Sequence, residues 1–347
     1  MPRLTAFTWV VAAITAIAHE PLAADAPAAN SPSASASTPV AARQITAGDQ
    51  LLLQAIGQLE RRESVAARLQ YRASLHGQSL SGAGSYWQQG SGDALRVRLE
   101  LRVTGQTRLL QVSNGRFLWI DRQLPTRRIV NRLDLRRIRA DAARLAAKVD
   151  ELQPGQANWS PIRPELTAYY GGLPKLLSAL SESLTFQPPQ AMRFEVKSPD
   201  ERLRANLPVF AVVGHWKRSQ LARMLPAPGD AATDDPLEHR LAALPPGLPQ
   251  EVLLLVGQAD LFPYRIEYRK LAPPSAGTSA GPYQLSADPL VLVEFSDVSF
   301  DVPIGPGQFD YAPPNDTKWD DLTAEYLDKI RRQRDEQLAA RNRESTM

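Results

Sequence analysis

The chain has 347 residues, of which 43% are hydrophobic, enough for a large core in one or two domains. Its formal charge of +3 is small and its arginines follow the polar sides of strands, which indicates a solvated surface rather than a nucleic-acid interface. Cysteine is absent, which excludes disulfides, thiol catalysis, cysteine-based zinc sites and acylation at an N-terminal cysteine.

Residues 1–24 have the features of an export signal. Arg3 supplies a positive charge, residues 7–18 form an apolar run too short to span a membrane, and Ala23 and Ala24 offer small residues for cleavage after Ala24. The alternative is an uncleaved N-terminal anchor. With cleavage, the mature protein is expected in the periplasm. Residues 25–44 are mostly Ala, Pro and Ser, which predicts a disordered linker because they cannot bury enough apolar surface to fold.

The ordered region is expected to begin with a helix over residues 47–62, with Thr46 as its N-cap. A run of strands follows, and residues 95–103 give the clearest signal. They read Leu-Arg-Val-Arg-Leu-Glu-Leu-Arg-Val, so one face is apolar and the other is charged. Short connections with turn residues make neighbouring strands antiparallel. The predicted strands are 64–77, 79–89, 94–104, 107–113, 116–122 and 127–133.

Two apolar helical patterns interrupt the strands, over residues 134–149 and 173–184, and both can lie on the apolar face of a sheet. A short helix is expected at 219–224. Residues 226–249 are rich in Pro and Ala and predict a surface insertion, and 272–281 predict a loop. The last helix, 321–343, is highly charged, and its sparse apolar positions indicate partial docking. The second group of predicted strands is 193–197, 203–214, 251–257, 264–270 and 290–300.

No catalytic or metal-binding pattern stands out. His76, His215 and His239 lack the spacing of metal ligands, and no nucleophile elbow, phosphate loop or dinucleotide-binding motif is present. The acidic residues at 234–239 are interpreted as a solvated loop. We therefore expect no catalytic residues, no metal, no cofactor and no enzymatic activity.

Aromatic residues on the strands allow two interpretations. Phe117 and Trp119 share one face of their strand while Leu118 and Ile120 share the other, so both faces are expected to be covered. Tyr264 and Tyr268 alternate in the same way. These aromatic side chains can form an ordinary core, or they can line an apolar ligand pocket.

Residues 290–300, Leu-Val-Leu-Val-Glu-Phe-Ser-Asp-Val-Ser-Phe, are followed by a segment with Phe309, Tyr311 and Pro313-Pro314 and by an acidic turn at 316–323. This succession resembles the C-terminal part of the LolA-like family of periplasmic lipoprotein carriers, and the order of elements over residues 45–323 is similar to that family. The resemblance implies an α+β fold. Its strongly curved antiparallel sheet, an incomplete β-barrel here of about eleven strands, has helices covering the concave face. The linker, the insertion and the charged tail at 324–347 are additional.

The resemblance also implies a function. It predicts a non-enzymatic lipid- or lipoprotein-binding protein that holds acyl chains in an apolar cavity, and it is compatible with peripheral membrane contact. The alternative is an envelope sensor or interaction protein on the same scaffold, with an envelope protein as its partner. No nucleic-acid partner is expected. The expected cavity lining is Leu69, Tyr71, Val97, Leu99, Leu101, Phe117, Trp119, Leu176, Leu180, Tyr264, Ile266 and Tyr268.

Overall fold

The computed structural model describes residues 45–75, 78–152, 164–197, 204–225, 241, 244, 248–270 and 289–345. This part of the chain forms thirteen strands and five helices. The helices are α1 (Ala47–Arg61), α2 (Leu135–Leu152), α3 (Pro164–Ser183), α4 (Arg218–Met224) and α5 (Thr323–Ser345). The strands are β1 (Ser64–Leu75), β2 (Gln78–Gln89), β3 (Arg96–Val103), β4 (Thr107–Ser113), β5 (Phe117–Gln123), β6 (Arg128–Asp134), β7 (Leu184–Phe186), β8 (Gln190–Lys197), β9 (Arg204–Trp216), β10 (Glu251–Gly257), β11 (Pro263–Arg269), β12 (Val291–Phe300) and β13 (Trp319–Asp321).

The strands form one open sheet in the order β13-β6-β5-β4-β3-β2-β1-β12-β11-β10-β9-β7, and β8 pairs with the same edge of β9 as β7 does. All pairs are antiparallel except β13 with β6. The two ends of the sheet are not paired with each other, so the predicted α+β incomplete barrel is confirmed. The prediction of about eleven strands missed β7 and β13, because three residues are too few to show a period of two.

The alternation in residues 95–103 divides the sheet into two faces. Val97, Leu101 and Val103 are buried on the face that meets α3, which we call the inner face, while Arg96 and Arg102 are exposed on the outer face. The inner face continues across β2, β1, β12, β11 and β10 through directly opposed residues. It supplies most of one core cluster, which also contains residues of α1 and α3. The predicted helical cover over the apolar face is therefore confirmed.

Helix α1 begins where the sequence predicts. The Thr46 side chain accepts a hydrogen bond from the Asp49 backbone N–H (3.0 Å), and the Asp49 carboxylate accepts one from the Thr46 N–H (3.4 Å), which together form a capping box. The same two side chains reach β7: the Thr46 hydroxyl donates to the Phe186 carbonyl (2.6 Å), and the Phe186 N–H donates to Asp49 (2.9 Å). A Cβ at Gly48 would lie 2.0 Å from the Gln187 carbonyl oxygen, so this approach requires glycine.

Helices α2 and α5 form a second, smaller core against β5 and β6. Asp134 caps α2 by accepting a hydrogen bond from the Arg137 N–H (3.0 Å). Leu327 and Ile330 of α5 are each 1% exposed. The charged C-terminal helix is thus docked through its few apolar positions. The buried members of this cluster are Leu118, Leu133, Leu135, Ile138, Leu145, Leu327 and Ile330.

Two further segments cover parts of the outer face. The β8–β9 hairpin bends over β11 and β12, where Phe194 is buried and the Arg265 guanidinium lies 5.7 Å from its ring centroid. Residues 301–318, which we call the strap, cross β3 to β5. Phe309 of the strap is buried, and Arg98 donates to the Gln308 carbonyl (3.1 Å). The strap is the segment in which the sequence resemblance was strongest.

Several predicted segments lie outside the described residues: the signal at 1–24, the linker at 25–44, the loop at 272–281, and residues 226–240 of the insertion. The end of the insertion is described at Leu241, Leu244 and Leu248. These three side chains are buried in the main core, so the expectation of a surface segment is wrong for them. Gln250 and Trp216 hold this stretch by donating to the carbonyls of Leu241 (2.9 Å) and Pro249 (2.8 Å).

Candidate ligand-binding site

Ten of the twelve predicted lining residues belong to the main core, which is formed by the inner face of the sheet together with α1 and α3. Nine of the ten are buried, and Leu99 is half-buried. Strand register explains the grouping, because Tyr71 opposes Val293 and Val293 opposes Ile266. The ten residues are Leu69, Tyr71, Val97, Leu99, Leu101, Leu176, Leu180, Tyr264, Ile266 and Tyr268.

Phe117 and Trp119 do not join this group. Trp119 opposes Val112, which lies on the outer face, whereas Leu118 opposes Ser113 on the inner face. Both aromatic rings are half-buried. The sequence could not decide the face of β5, because its apolar residues occupy both sides. Phe117 and Trp119 therefore lie on the side of the sheet away from α3.

The contact between α3 and the sheet is closely packed. Leu173, Leu176, Leu177 and Leu180 are each at most 2% exposed. Beside them lies a small apolar cavity of about 10 Å³, lined by Leu180, Ser183, Leu184, Trp216, Pro249, Val252 and Tyr268. A volume of this size holds at most one water molecule. The structure therefore represents a state in which α3 occupies the inner face.

A short chain of polar groups crosses the contact. The Tyr86 hydroxyl donates to Gln88 Oε1 (2.7 Å) and accepts a hydrogen bond from the Leu173 backbone N–H (3.0 Å). Burial raises the pKa of Tyr86, and the Leu173 N–H opposes that shift, so the hydroxyl stays protonated. The Tyr71 hydroxyl is also buried but has no hydrogen-bond partner among the described residues, and burial raises its pKa.

The chain breaks its helical course at Gly172. Its φ of 59° and ψ of −159° lie in a region open essentially only to glycine. A Cβ there would lie 2.6 Å from Gln88 Oε1 and 2.6 Å from the Tyr86 hydroxyl oxygen. The break therefore places the start of the leucine-rich half of α3 directly against the polar chain. The sequence predicted this half alone, from residue 173, because its leucine pattern begins after the two glycines.

A second cluster was missed by the sequence analysis and lies on the outer face beside β13. The Arg132 guanidinium is 4.5 Å from the Trp319 ring centroid and 4.9 Å from that of Phe117, and it forms an ion pair with Asp321 (2.6 Å). Trp119 contacts the Trp319 ring at a centroid distance of 5.4 Å. Trp319 is 40% exposed. We call these five residues the aromatic–arginine cluster.

The strap is fixed next to this cluster. The Tyr311 hydroxyl donates to Asp121 (2.9 Å), whose carboxylate also accepts two hydrogen bonds from Arg128 (2.9 and 2.6 Å). Burial, followed by the hydrogen bond to Asp121, raises the pKa of Tyr311 to about 12. No sequence pattern predicted this contact, because 190 positions separate its partners.

Charged residues are also buried under the β8–β9 hairpin. Glu267 is 1% exposed and pairs with Arg265 and Arg269. Glu251 lies next to them, and burial raises its pKa although Arg269 acts in the opposite direction. Burial lowers the pKa of His215, which contacts Gln187 at 3.0 Å. These contacts join strands to one another and form no nucleophile–base pair.

Within the described ranges, no group of three or more His, Cys, Asp and Glu side chains is arranged to hold a metal ion. The same ranges contain no helix with the length and apolar character needed to cross a membrane.

No protein-family model matches the chain, and no curated protein matches it. Several solved structures match the chain. A DUF1329 family protein from Desulfovibrio piger is 11% identical, with a TM-score of 0.31 over 76% of this chain and 96% of its own. A putative outer membrane lipoprotein-sorting protein domain from Vibrio parahaemolyticus is 10% identical, with a TM-score of 0.28 over the same shares. A LolA superfamily protein from Nitrosomonas europaea is 11% identical, with a TM-score of 0.25 over 76% and 98%. At these identities and TM-scores, the matches assign this chain neither a family nor a ligand.

Proposed function

We propose that this protein is a non-enzymatic, periplasmic lipid- or lipoprotein-binding protein that takes acyl chains between the inner face of its sheet and α3. The observation that carries the proposal is the contact itself. Four leucines of α3, together with residues of α1, share one core with apolar inner-face residues of β1, β3, β11 and β12. An acyl chain offers the same kind of surface, so it can replace the helix without leaving the face exposed to water.

The energies of the two states are comparable. Withdrawing four buried leucines from the sheet costs about 6–12 kcal/mol at about 1.5–3 kcal/mol each. An acyl chain with about fourteen methylenes gains about 11 kcal/mol at about 0.8 kcal/mol per methylene. Exchange of helix for acyl chain is therefore close to balanced, which is the condition for reversible loading and release.

Gly172 provides the point at which α3 can swing. The leucine-rich half of the helix begins at Leu173, and the Tyr86 hydroxyl holds its first N–H. Breaking a hydrogen bond of this kind costs about 0.5–1.5 kcal/mol net when water replaces the partner. Displacement of α3 thus requires rotation at Gly172 and at the junction with β7, which begins at Leu184 directly after the helix, and the loss of the apolar contacts of the four leucines.

A matched pair of leucine truncations tests the proposal. Leu180 lines the small cavity under α3, and Leu118 is equally buried in the second core. Leu180→Ala enlarges the space under α3, so we expect it to raise the affinity for a fluorescent fatty acid several-fold. Leu118→Ala should leave that affinity unchanged while lowering the unfolding free energy by a similar amount. If the wild-type protein binds no fluorescent fatty acid, or if both variants respond alike, the proposal is wrong.

A second candidate function is that of an envelope sensor or interaction protein, and the aromatic–arginine cluster favours it. Trp and Arg are the residues most enriched at energetically important interface positions, and Trp319 is 40% exposed. Deleting the C-terminal helix would be a poor test, because it removes the buried Leu327 and Ile330. Trp319→Ala is the better variant, with the equally exposed Met192→Ala as control. Only the former should reduce binding to an envelope protein.

A further inference from the structure

The side chains on the outer face of β1 to β4 carry a larger net positive charge than the whole chain does. All charged side chains of these strands lie on this face: six arginines against one glutamate, Glu100, a net charge of +5. The complete chain has a formal charge of +3. The remainder of the chain is therefore net negative, and the positive charge is concentrated on one side of the sheet. The six arginines are Arg68, Arg72, Arg96, Arg98, Arg102 and Arg108.

Small side chains separate Arg68 and Arg72 of β1 from Arg102 of β3. On the outer face, β2 presents Ser81, Ala83 and Ser85 between β1 and β3. Arg72 directly opposes Ser81, and Arg102 directly opposes Ala83. Strands two positions apart in a sheet are separated by about 10 Å. The result is a shallow lane of small residues with Arg68 and Arg72 on one side and Arg102 and Glu100 on the other, which we call the arginine lane. Past Ser85, the same face of β2 continues with Trp87 beside Arg98.

Acidic residues pair with three of the six arginines and leave the other three without an acidic partner among the described residues. Glu100 is shared by Arg98 and Arg108, and Arg68 pairs with Asp297 at 3.7 Å. No ion pair or hydrogen bond engages the side chains of Arg72, Arg96 or Arg102 among the described residues, and all three are exposed. Arg102 also directly opposes Arg108, although like charges in that position are destabilising.

We propose that the arginine lane binds the anionic headgroups of a phospholipid membrane. Arginine presents a planar fork of donors that matches phosphate oxygens, and mobile headgroups can adjust to rows about 10 Å apart. A protein partner is less suited to this surface. Specific protein interfaces are built around exposed aromatic or aliphatic anchors that become buried, whereas the lane offers small side chains and the neighbouring Trp87 is already half-buried. This inference does not rest on acyl-chain binding at the inner face.

The test measures binding of the full chain to vesicles. One set contains phosphatidylglycerol and phosphatidylethanolamine in equal amounts, and the other contains phosphatidylcholine alone. The variant Arg72→Gln/Arg102→Gln removes two charges from the lane. The control Arg136→Gln/Arg137→Gln removes two charges from exposed positions on α2. At low salt we expect binding to the anionic vesicles only, weakened about 25-fold by the lane variant, since each arginine near an anionic surface contributes about five-fold. The control should bind as the wild type does, and added salt should weaken binding.

Two results would overturn the inference. One is an equal loss of binding in the lane and control variants, which would indicate a general effect of net charge. The other is the absence of vesicle binding at low salt. The inference is also wrong if the vesicles do not bind but soluble polyglutamate does, in a manner that depends on Arg72 and Arg102. Circular dichroism and thermal unfolding confirm that each variant is folded. Binding of a fluorescent fatty acid should be the same in the wild type and the lane variant, so failure here is distinguishable from failure of the proposed function.

Discussion

Replacing Gly172 by alanine should weaken the closure of α3 on the sheet. The backbone at Gly172 has a φ of 59°, and holding a residue with a Cβ in such a region costs about 1–3 kcal/mol. The new Cβ would also lie 2.6 Å from the Tyr86 hydroxyl oxygen, which must move away from the Leu173 N–H. Leaving that buried donor unpaired costs a further ~1–3 kcal/mol. We therefore expect Gly172→Ala to lower the unfolding free energy by about 2–6 kcal/mol.

Two other glycines separate these contributions. Gly105 has a φ of 82° but no atom within 4 Å of an added Cβ, so Gly105→Ala should show the backbone strain alone, about 1 kcal/mol. At Gly307 an added Cβ would meet no atom within 4 Å, and the backbone φ is not positive. The unfolding free energy of Gly307→Ala should therefore lie within about 0.5 kcal/mol of the wild-type value. Urea unfolding, followed by circular dichroism, measures the unfolding free energy of all three variants. The values are comparable if the m-value is the same for each variant. A loss for Gly172→Ala no larger than that for Gly105→Ala would refute the role assigned to the Tyr86 contact.

Three further variants, two of them with a matched control variant, test separate parts of the structure by urea unfolding. Tyr86→Phe leaves a buried backbone donor unpaired and should cost about 1–3 kcal/mol, whereas Tyr71→Phe removes a hydroxyl without a partner and should be neutral or stabilising; equal losses would contradict this contrast. Burial raises the pKa of Glu251, so its contribution to stability is fully present below its ordinary pKa and is lost as the pH rises. Glu251→Gln should therefore be more stable than the wild type at pH 7, with the difference shrinking towards pH 4; a constant difference would argue against this account. Leu327→Ala should cost about 2–5 kcal/mol because it opens a cavity in the second core, while Leu53→Ala, at 51% exposure, should cost little; similar values would mean that α5 is not docked in solution.

The sequence predicted the sheet well wherever one face of a strand is polar. In β1 and β3 the charged positions alternate with apolar ones, so both the strand and its buried face could be assigned. In β5 the apolar residues occupy both positions of the alternation, and only the pairing with β4 shows that Trp119 faces outward. The end of the Pro-rich insertion was misjudged for a different reason. Leu241, Leu244 and Leu248 are spaced among loop residues, and their burial depends on tertiary contacts that no local period reports.

The sequence predicted most of the residues that form the candidate site, but not how closely the helix packs against the sheet. Alternation alone identifies the inner-face residues of β1, β3 and β11, and the leucine pattern from residue 173 identifies the helix that covers them. How much space remains between the sheet and the helix depends on the break at Gly172 and on the hydrogen bond between Tyr86 and Leu173. These two residues are 87 positions apart, so no local pattern reports their contact. The outer-face contacts of the strap were equally inaccessible, because a pair such as Tyr311 and Asp121 leaves no mark in either local sequence.

The capping box of α1 has a consequence for how the protein behaves at high concentration. β7 lies at the end of the sheet, where unpaired N–H and C=O groups can recruit a strand from another molecule. At Phe186 both of these groups are already engaged, by Asp49 and Thr46 of the capping box. The residues that start α1 thus also protect the edge strand β7 from intermolecular pairing. Loss of the Thr46 hydroxyl would therefore affect aggregation as well as helix stability.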